Sequence, residues 1–354
     1  MNDKKIKVLI VDDSPSILDL LSFILSSDPQ IEVIGTAKNG SKALKMLEKI
    51  SPDLIVMDID MPFLNGIETT RTIMETTPIP IIIVTASYSP SKTEKTFMAL
   101  HAGALSIMAK PRGMGHPDHE KMATALVKAV KTYSGVKLVK RRRKPDESKT
   151  IVPDYIINDV KGAGKPELVA VGASTGGPPA IQLILRNLPL NLPAPIMIVQ
   201  HIAEGFLESF RDWLVKTTGH QVHIPGQGEK LIPGHCYLAP DNKQMGVTGS
   251  GRVELTGNKH IYSLCPSASY LFDSAAGVYG KKVIGILLTG MGKDGAAELK
   301  LLREKGAVTI AQDEESSIVY GMPGEAKKIG AAKYILPPVE IAAAVVNLLK
   351  MEGS

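Results

Sequence analysis

Cysteine is scarce in this chain of 354 residues, which carries only Cys236 and Cys265. Two thiols in a chain of this length cannot form a disulfide framework, and they do not have the CxxC spacing of a redox or zinc motif. Neither cysteine lies in a glycine-rich turn after an apolar segment, so each is a weak candidate for a nucleophile. We expect both to be reduced and to serve in packing.

Long apolar runs are also lacking. No segment approaches the ~20 consecutive apolar residues that cross a bilayer. Residues 1–7 are polar and charged and lead directly into a short apolar stretch, which is unlike a signal peptide. Hydrophobic residues nevertheless make up 44% of the chain and charged residues 22%, which is typical of a soluble globular protein. These features predict a cytosolic protein.

Histidine and cysteine do not occur at the spacings of zinc ligands, and HExxH is absent from both halves of the chain. We therefore predict no zinc site. Four histidines fall in an irregular section of the second half and are expected to be surface or loop residues, namely His220, His223, His235 and His260.

Excess positive charge is confined to one segment. The formal net charge is +5 at pH 7, and the run KLVKRRRK at 137–144 carries more positive charge than that total. A local basic run favours a solvated linker over a nucleic-acid-binding domain, and no helix-turn-helix pattern adjoins it. We predict no nucleic-acid partner, and a DNA-binding output is the less favoured alternative.

The length of the chain predicts two domains of ~100–200 residues each. Residues 1–133 alternate short apolar runs with amphipathic segments, and residues 164–354 do the same. Residues 134–163 contain Gly, Lys, Arg and Pro without a sustained period, which predicts a flexible basic linker. Short apolar runs between helical segments favour parallel sheets buried on both faces. The predicted fold class is α/β, with two doubly wound parallel-sheet domains.

The predicted elements follow from the apolar periodicity. Strands are predicted at 8–11, 33–35, 54–57, 81–84 and 105–108 in the first domain, and at 168–171, 196–199, 283–288 and 308–311 in the second. Helices are predicted at 17–26, 42–50, 180–188 and 296–304, among others. Between residues 222 and 255, short strands with Gly and Pro predict a small antiparallel hairpin or edge insertion.

Polar side chains follow four of the five predicted strands of the first domain. They are Asp12 and Asp13, then Asp58, Thr85 and Lys110. Because the carboxyl ends of parallel strands meet at one edge of an open sheet, we expect these groups to converge. Three carboxylates are suitable ligands for Mg²⁺. Asp58 could act as the nucleophile toward a phosphoryl donor, and Thr85 and Lys110 could bind the phosphoryl oxygens. A lone aspartate at a strand end is often only a turn or capping residue, but this combination favours a phosphoacceptor site.

A turn of small residues, GASTGGP, follows the first strand of the second domain. Glycine permits a tight strand-to-helix turn that exposes the Ser174 hydroxyl, and a helix N-terminus behind it favours developing negative charge. The same turn suits an anion-binding loop or a purely structural turn. Taken alone, it leaves all three interpretations open.

Two further strand ends favour the nucleophile. His201 follows the second strand, and Asp294 follows the third in the loop TGMGKDG. A serine hydrolase needs a nucleophile, a base and a carboxylate that orients the base, and these residues with Ser174 supply all three. Asp273 and Asp313 are rival carboxylates, of which Asp313 is the stronger because it also follows a strand. We prefer Asp294.

Backbone N–H groups that could bind a developing oxyanion are predicted at Met291 and Thr175. Met291 is flanked by glycines, and Thr175 directly follows the predicted nucleophile. The alternative for Met291 is a core methionine. The chain order Ser, His, Asp differs from the Ser, Asp, His order of α/β-hydrolases, so that fold is not inferred.

The motifs VDDS, DIDMP, VTAS and AKP resemble those of response-regulator receiver domains over residues 6–130. The resemblance implies a flavodoxin-like fold, a histidine kinase as phosphodonor, phosphorylation of Asp58, and Mg²⁺ held with Asp12 and Asp13. It also implies a cis peptide bond between Lys110 and Pro111. Ile107 stands where receivers commonly carry an aromatic switch residue, so we expect a helix or loop shift to carry the output.

The motifs GASTGGP, QHIAEGF, CPSASYLF, LLTGMGKDGA and IAQDEESSIVYGMP resemble the catalytic domain of the chemotaxis protein-glutamate methylesterases, the CheB family. The resemblance implies a Rossmann-like esterase that uses Ser174, His201 and Asp294, with Met291 as oxyanion donor and no cofactor for the esterase step. It implies hydrolysis of glutamyl methyl esters, with release of methanol, and deamidation of glutamine. The expected partners are methylated chemoreceptor helices and, peripherally, membrane receptor arrays. The expected state is a monomer.

Three stretches depart from that family's pattern. Ile-Ala follows His201 where Met-Pro is usual, DNKQ at 241–244 replaces a glycine- and histidine-containing turn, and Glu298 stands where glycine is common. None removes a predicted catalytic group, but a non-chemotactic receptor array and a non-enzymatic scaffold stay open as alternatives. The order receiver, linker, esterase suggests the hypothesis that the unphosphorylated receiver blocks the esterase pocket and that phosphorylation of Asp58 opens it.

Overall fold

The computed structural model describes residues 5–85, 90–136, 138, 165–257 and 264–350, with the side chains of all but 90–94 and 350. The chain divides into an N-terminal unit, Met1–Pro145, and a C-terminal unit, Asp146–Ser354. Nearly all of the predicted linker and basic run, as well as His260, lie outside the described residues, so the domain boundaries stay predictions. None of the described helices is long and apolar enough to cross a membrane.

The N-terminal unit contains five parallel strands, β1 (Ile6–Val11), β2 (Ile31–Ala37), β3 (Leu54–Met57), β4 (Ile81–Thr85) and β5 (Ser106–Ala109). Its helices are α1 (Pro15–Ser26), α2 (Gly40–Leu47), α3 (Gly66–Thr76), α4 (Pro90–Ala102) and α5 (His119–Tyr133). The sheet order is β2-β1-β3-β4-β5. The chain therefore winds outward in both directions from β1, and a crevice forms where β1 and β3 end.

Buried apolar strands hold the N-terminal unit together. Val8 and Ile10 lie in one core cluster with Leu21 of α1 and Val130 of α5, and none of the four is more than 1% exposed. Because successive strand residues face opposite sides, Leu9 contributes to the other face of the same sheet. The continuous apolar runs of the sequence thus become strands covered by helices on both faces.

The C-terminal unit contains β6 (Leu168–Ala173), β7 (Ile196–Gln200), β8 (Val222–His223), β9 (Cys236–Leu238), β10 (Gln244–Val247), β11 (Val253–Thr256), β12 (Val283–Leu287), β13 (Val308–Gln312) and β14 (Tyr334–Leu336). Its helices are α6 (Gly177–Arg186), α7 (Leu207–Thr218), α8 (Ala268–Val278), α9 (Ala296–Glu304), α10 (Met322–Lys328) and α11 (Pro338–Lys350). Seven strands form a parallel sheet in the order β14-β13-β12-β6-β7-β9-β8. The direction of winding reverses between β6 and β12, which places a crevice at their carboxyl ends.

The predicted fold class is confirmed, with two parallel α/β units and a small antiparallel hairpin formed by β10 and β11. The prediction for residues 222–255 was incomplete. The short strands β8 and β9 of this section extend the main sheet in parallel, and they were not separated from the hairpin. Strands of two and three residues carry too little apolar periodicity to show their direction.

Two glycines shape the turns that carry the predicted catalytic residues. Gly176 has φ of 78° and Gly295 has φ of 79°, and each directly precedes a helix, α6 and α9 respectively. Left-handed backbone of this kind is accessible to glycine at little steric cost. These turns let the chain reverse sharply between a buried strand and its helix, immediately after Ser174 and Asp294.

Two candidate active sites

Three carboxylates converge at the crevice of the N-terminal unit. Asp12 and Asp13 follow β1, Asp58 follows β3, and one oxygen of each lies within 4.8 Å of the others. Asp12 is 1% exposed and Asp58 5%, whereas Asp13 is exposed. A compact group of oxygen ligands at a partly open edge fits Mg²⁺, which binds few protein groups and keeps several waters.

Lys110 lies among these carboxylates. Its Nζ atom is 2.6 Å from Oδ2 of Asp12 and 3.2 Å from Oδ1 of Asp58. Burial raises the pKa of Asp58; the Lys110 charge opposes this and the Asp12 charge adds to it. Burial by itself would lower the pKa of Lys110, but its contacts with Asp12 and Asp58 raise it overall. The ammonium therefore pairs with two of the three clustered carboxylates, so its charge does not balance theirs.

The other predicted residues of this site lie at the same edge. Thr85 ends β4 and is 5% exposed, and its carbonyl accepts a hydrogen bond from the Lys110 N–H at 2.9 Å. Ile107, at the expected switch position, is a buried core residue of β5. Within the described part of the chain the one cis peptide bond is Cys265–Pro266, so the prediction of a cis bond between Lys110 and Pro111 is wrong.

The three central strands of the C-terminal sheet bring Ser174, His201 and the loop after β12 together. Ala173 pairs in register with Gln200, so the residues that follow them end neighbouring strands about 5 Å apart. The His201 N–H donates to the Ala173 carbonyl at 3.0 Å. On the other side, the Ser174 N–H donates to the Thr289 carbonyl at 3.0 Å. Ser174 is thus held between the histidine and the β12 loop.

The imidazole of His201 contacts the carboxylate of Asp294. Nε2 lies 3.0 Å from Oδ2, with the two side chains 16% and 2% exposed. The two rival carboxylates have other surroundings. Asp313 accepts a hydrogen bond from the Ser316 N–H at 3.2 Å, and Asp273 is exposed on α8. Within the described residues, no hydrogen bond joins the Ser174 hydroxyl to His201. Catalytic hydrogen bonds often tighten only when substrate binds.

The carboxylate of Asp294 is fixed by the N-terminus of α8. Oδ1 accepts from the Ser267 hydroxyl at 2.7 Å and from the Ser269 N–H at 3.1 Å, and Oδ2 accepts from the Ala268 N–H at 2.7 Å. Burial alone would raise the pKa of Asp294, but the contacts with His201, Ser267 and Ala268 lower it to about 2. The group is therefore a firmly ionised, oriented acceptor for the imidazole.

Two backbone amides of the loops beside Ser174 have no hydrogen-bond partner among the described residues. Among the described residues, neither the Thr175 N–H nor the Met291 N–H donates to a protein acceptor. The Met291 side chain is 43% exposed, which rules out the alternative of a core methionine. Gly290 lets this loop approach Ser174 closely, because a Cβ there would lie 2.7 Å from Cβ of Ser174. Both amides are suited to bind a developing oxyanion.

Comparison with known proteins identifies both units. Residues 169–345 match the family described as "CheB methylesterase", and residues 8–116 match "Response regulator receiver domain". The chain is 49% identical to "Protein-glutamate methylesterase/protein-glutamine glutaminase" of Nitrosospira multiformis, over 98% of this chain and 98% of that protein. It belongs to the CheB methylesterase family. It is also 48% identical to "Protein-glutamate methylesterase/protein-glutamine glutaminase 1" of Syntrophus aciditrophicus, over 97% of this chain and 98% of that protein.

A solved structure supports the assignment of the C-terminal unit to the CheB family. The Thermotoga maritima CheB methylesterase catalytic domain aligns with a TM-score of 0.50 and 36% identity, covering 52% of this chain and 100% of that one. The predicted family, with a receiver domain and a methylesterase domain, is therefore confirmed. Family membership does not favour the alternative of a DNA-binding output.

The cysteines of this CheB family member are both free. Cys236 is fully buried in β9, and burial raises the pKa of its thiol to about 12. Cys265 is half-buried, and burial raises its pKa as well. Neither thiol is activated as a nucleophile. Cys265 instead helps to line a cavity of about 150 Å³ beside His201, with Ile202, Asp241 and Pro266 among the other lining residues.

Sequence reasoning missed the polar residues that support the catalytic groups. Ser267 and Ser269 hold Asp294, and the Thr289 hydroxyl donates to the Thr175 carbonyl at 2.9 Å. Ser267 had a usable signal, because a serine directly before an apolar helical segment is a typical N-cap. Thr289 had none, since its role depends on contacts between residues more than a hundred positions apart.

Proposed function

We propose that this CheB family member hydrolyses methyl esters of glutamate side chains on the cytoplasmic helices of chemoreceptors, and also deamidates glutamine there. Ser174 is the nucleophile, His201 the base and Asp294 the residue that orients the base. The supporting observation is the buried His201–Asp294 contact at 3.0 Å, one strand away from Ser174, in a family of methylesterases.

The chemistry begins with the Ser174 hydroxyl. Because Nε2 of His201 faces Asp294, Nδ1 is the nitrogen left to take the hydroxyl proton. Oγ then attacks the ester carbonyl, and the C–O bond to the methoxy group breaks as His201 returns the proton, so that methanol leaves. Water, activated by the same imidazole, hydrolyses the acyl-enzyme to free carboxylate and Ser174. With a glutamine side chain the leaving group is ammonia.

The negative charge of each tetrahedral intermediate needs donors that are already in place. The Thr175 and Met291 N–H groups fill this role, because neither is used within the described residues. Such preformed donors are typically worth about 10²–10³-fold in rate each. Asp294 contributes through the imidazolium, whose positive charge it stabilises during the attack.

The receiver controls this reaction in our proposal. Asp58 accepts a phosphoryl group from a histidine kinase, and Lys110 and Thr85 bind the transferred phosphoryl oxygens. Mg²⁺ would be held by Asp12, Asp13 and Asp58 and would neutralise charge on the phosphoryl oxygens when bound. If phosphorylation shifts the free-energy difference between an inactive and an active conformation by about 3 kcal/mol, the esterase rate rises roughly 100-fold.

Receptor membranes carrying labelled methyl groups provide the direct test. Full-length protein should release labelled methanol, faster with Mg²⁺ and a small phosphodonor such as acetyl phosphate. Receptors with glutamine at the same positions should release ammonia. Labelled methyl groups that stay on the receptor under all conditions would refute the proposal. Equal rates with and without phosphodonor, when Asp58 is shown to be phosphorylated, would refute only the regulation.

A further inference from the structure

Gln200 is the last residue of β7 and directly precedes His201. Its side chain is buried, with 4% exposure. The amide Nε2 donates two hydrogen bonds, one to the Ser174 carbonyl at 2.8 Å and one to the His201 carbonyl at 2.8 Å. One buried amide therefore ties the backbone of the predicted nucleophile to the backbone of the predicted base.

The surroundings of Gln200 leave it little freedom. A Cβ at Gly177 would collide with Oε1 of Gln200, so the glycine provides the space that the amide occupies. The Ser174 carbonyl also accepts from the Gly177 N–H at 2.8 Å. Oε1 accepts no hydrogen bond within the described residues, so one polar atom of this buried amide is unsatisfied. The two bonds donated by Nε2 are the polar contacts that offset its burial.

We propose that Gln200 is a positioning residue, which sets the separation and orientation of Ser174 and His201 through their carbonyls. The inference rests on the proposed esterase function. Strand pairing fixes the positions of Ala173 and Gln200, but Ser174 and His201 lie beyond the last paired residues. The last backbone hydrogen bond between the two strand ends runs from the His201 N–H to the Ala173 carbonyl, and the side-chain amide adds the link to the Ser174 carbonyl. A misplacement of about 1 Å between reacting groups can cost ~100-fold in rate.

Gln200→Met tests the inference, because methionine fills a similar volume without donating hydrogen bonds. In the full-length, phosphorylated protein we expect kcat for methanol release to fall roughly 10- to 100-fold while KM changes little. Sulfonylation of Ser174 by a small sulfonyl fluoride, which releases fluoride and is followed by mass spectrometry, should slow by a similar factor, because this reaction needs the Ser–His alignment and no receptor contact. Gln221→Met, at an exposed position of the same unit, is the matched control.

Gln200→Glu keeps the test decisive if the methionine variant does not fold. An ionised carboxylate between two carbonyls donates nothing, whereas its protonated form donates one bond. The ratio of variant to wild-type activity should therefore rise several-fold as pH falls from about 8 to about 6, since burial against carbonyl oxygens raises the carboxyl pKa. Because a buried carboxylate also destabilises the folded protein as it ionises, the activity is expressed per folded molecule, with the folded fraction measured by circular dichroism at each pH. On that scale, a residue that serves folding alone would give a pH-independent ratio.

The outcomes separate the two proposals. Wild-type protein that releases no methanol refutes the esterase function itself. An active wild type, with a folded Gln200→Met variant of equal kcat and equal Ser174 sulfonylation rate, refutes the positioning role alone. A flat activity ratio for Gln200→Glu has the same meaning. A selective loss of kcat together with the pH-dependent ratio supports the role assigned to Gln200.

Discussion

Both units place their chemical groups at the carboxyl ends of parallel strands, but the pKa of a buried aspartate is raised in one unit and lowered in the other. In the receiver, Asp12 and Asp58 share the ammonium of Lys110, Asp13 lies beside them, and burial raises the pKa of Asp58. In the esterase unit, Asp294 stands alone among several donors, and its pKa is lowered to about 2.

This difference separates an incomplete site from a preorganised one. Three carboxylates around one ammonium repel each other, so the receiver site gains stability from any added cation. The carboxylate of the esterase site already accepts hydrogen bonds from the N-terminus of a helix, and its remaining task is to hold an imidazole. The carboxylate cluster of the receiver therefore favours an added cation, whereas the carboxylate of the esterase unit already has its hydrogen-bond donors in place.

The largest effect should come from Ser174→Ala. We expect the rate of methanol release to fall by at least about 10⁴-fold, because the acyl-enzyme cannot form. Phosphorylation of Asp58 by acetyl phosphate, followed by mass spectrometry, should stay at the wild-type level. Ser250→Ala, at an exposed position of the β10–β11 turn, should leave both reactions unchanged. Near-normal methanol release by Ser174→Ala would mean that another residue is the nucleophile.

Asp58→Asn should abolish the control of the esterase reaction by the receiver. The variant lacks the phosphoacceptor carboxylate, so the roughly 100-fold stimulation of esterase rate by phosphodonor should disappear while the basal rate persists. Asp60→Asn is the matched control, since Asp60 lies two positions away and pairs with Lys95 at 2.6 Å. Retained stimulation in Asp58→Asn would place the acceptor on a different residue.

The low pKa of Asp294 predicts how the stability of the esterase unit depends on pH. Its folded pKa of about 2 lies below the ordinary value of 3.8, so the stabilisation is complete above that value and is lost as pH falls toward 2. The loss amounts to about 2 kcal/mol. The only tryptophan, Trp213, lies in α7 and reports on this unit alone.

Urea denaturation followed by Trp213 fluorescence measures this effect. The difference in unfolding free energy between wild type and Asp294→Asn should shrink by about 2 kcal/mol between pH 5 and pH 2. Asp273→Asn, at an exposed position of α8, should show no such pH dependence. A difference that stays constant with pH would contradict the assigned carboxylate environment.

The smallest expected effect is the response of the receiver to Mg²⁺. At ten times its dissociation constant, the metal should stabilise this unit by about 1.4 kcal/mol, visible as a shift of its thermal transition by circular dichroism. Trp213 fluorescence should show no shift for the esterase unit. Asp58→Asn should reduce the response and Asp19→Asn, at an exposed position of α1, should not. Equal shifts in both units would indicate non-specific salt effects.

The local signals in the sequence predicted the central strands and the residues at their ends. The predicted helix 296–304 coincides with α9, and the apolar run 54–57 coincides with β3. β3 is buried on both faces and α9 buries one face, so each hydrophobic pattern is unambiguous. The edge strands β8 and β14, and β9 next to β8, are short and carry little pattern, and they form because the neighbouring strand offers hydrogen-bonding partners.

The candidate residues were predictable because complementary chemical types follow several strands of one sheet, but their contacts were not. Asp313 followed a strand as Asp294 did, and only the structure shows that Asp294 contacts His201 while Asp313 bonds to Ser316. The cis bond expected before Pro111 was wrong, because that expectation came from resemblance and not from a local steric requirement of this chain.

The sequence by itself determined which groups of this protein could react, because a hydroxyl, an imidazole and a set of carboxylates are fixed by residue type and placed by apolar periodicity. The tertiary structure decided how those groups are charged and held. Burial, the N-terminus of α8 and the amide of Gln200 act between residues that are distant in the chain. Electrostatic and hydrogen-bonding energies depend on distance in space, which the order of residues does not specify until the sheet has formed.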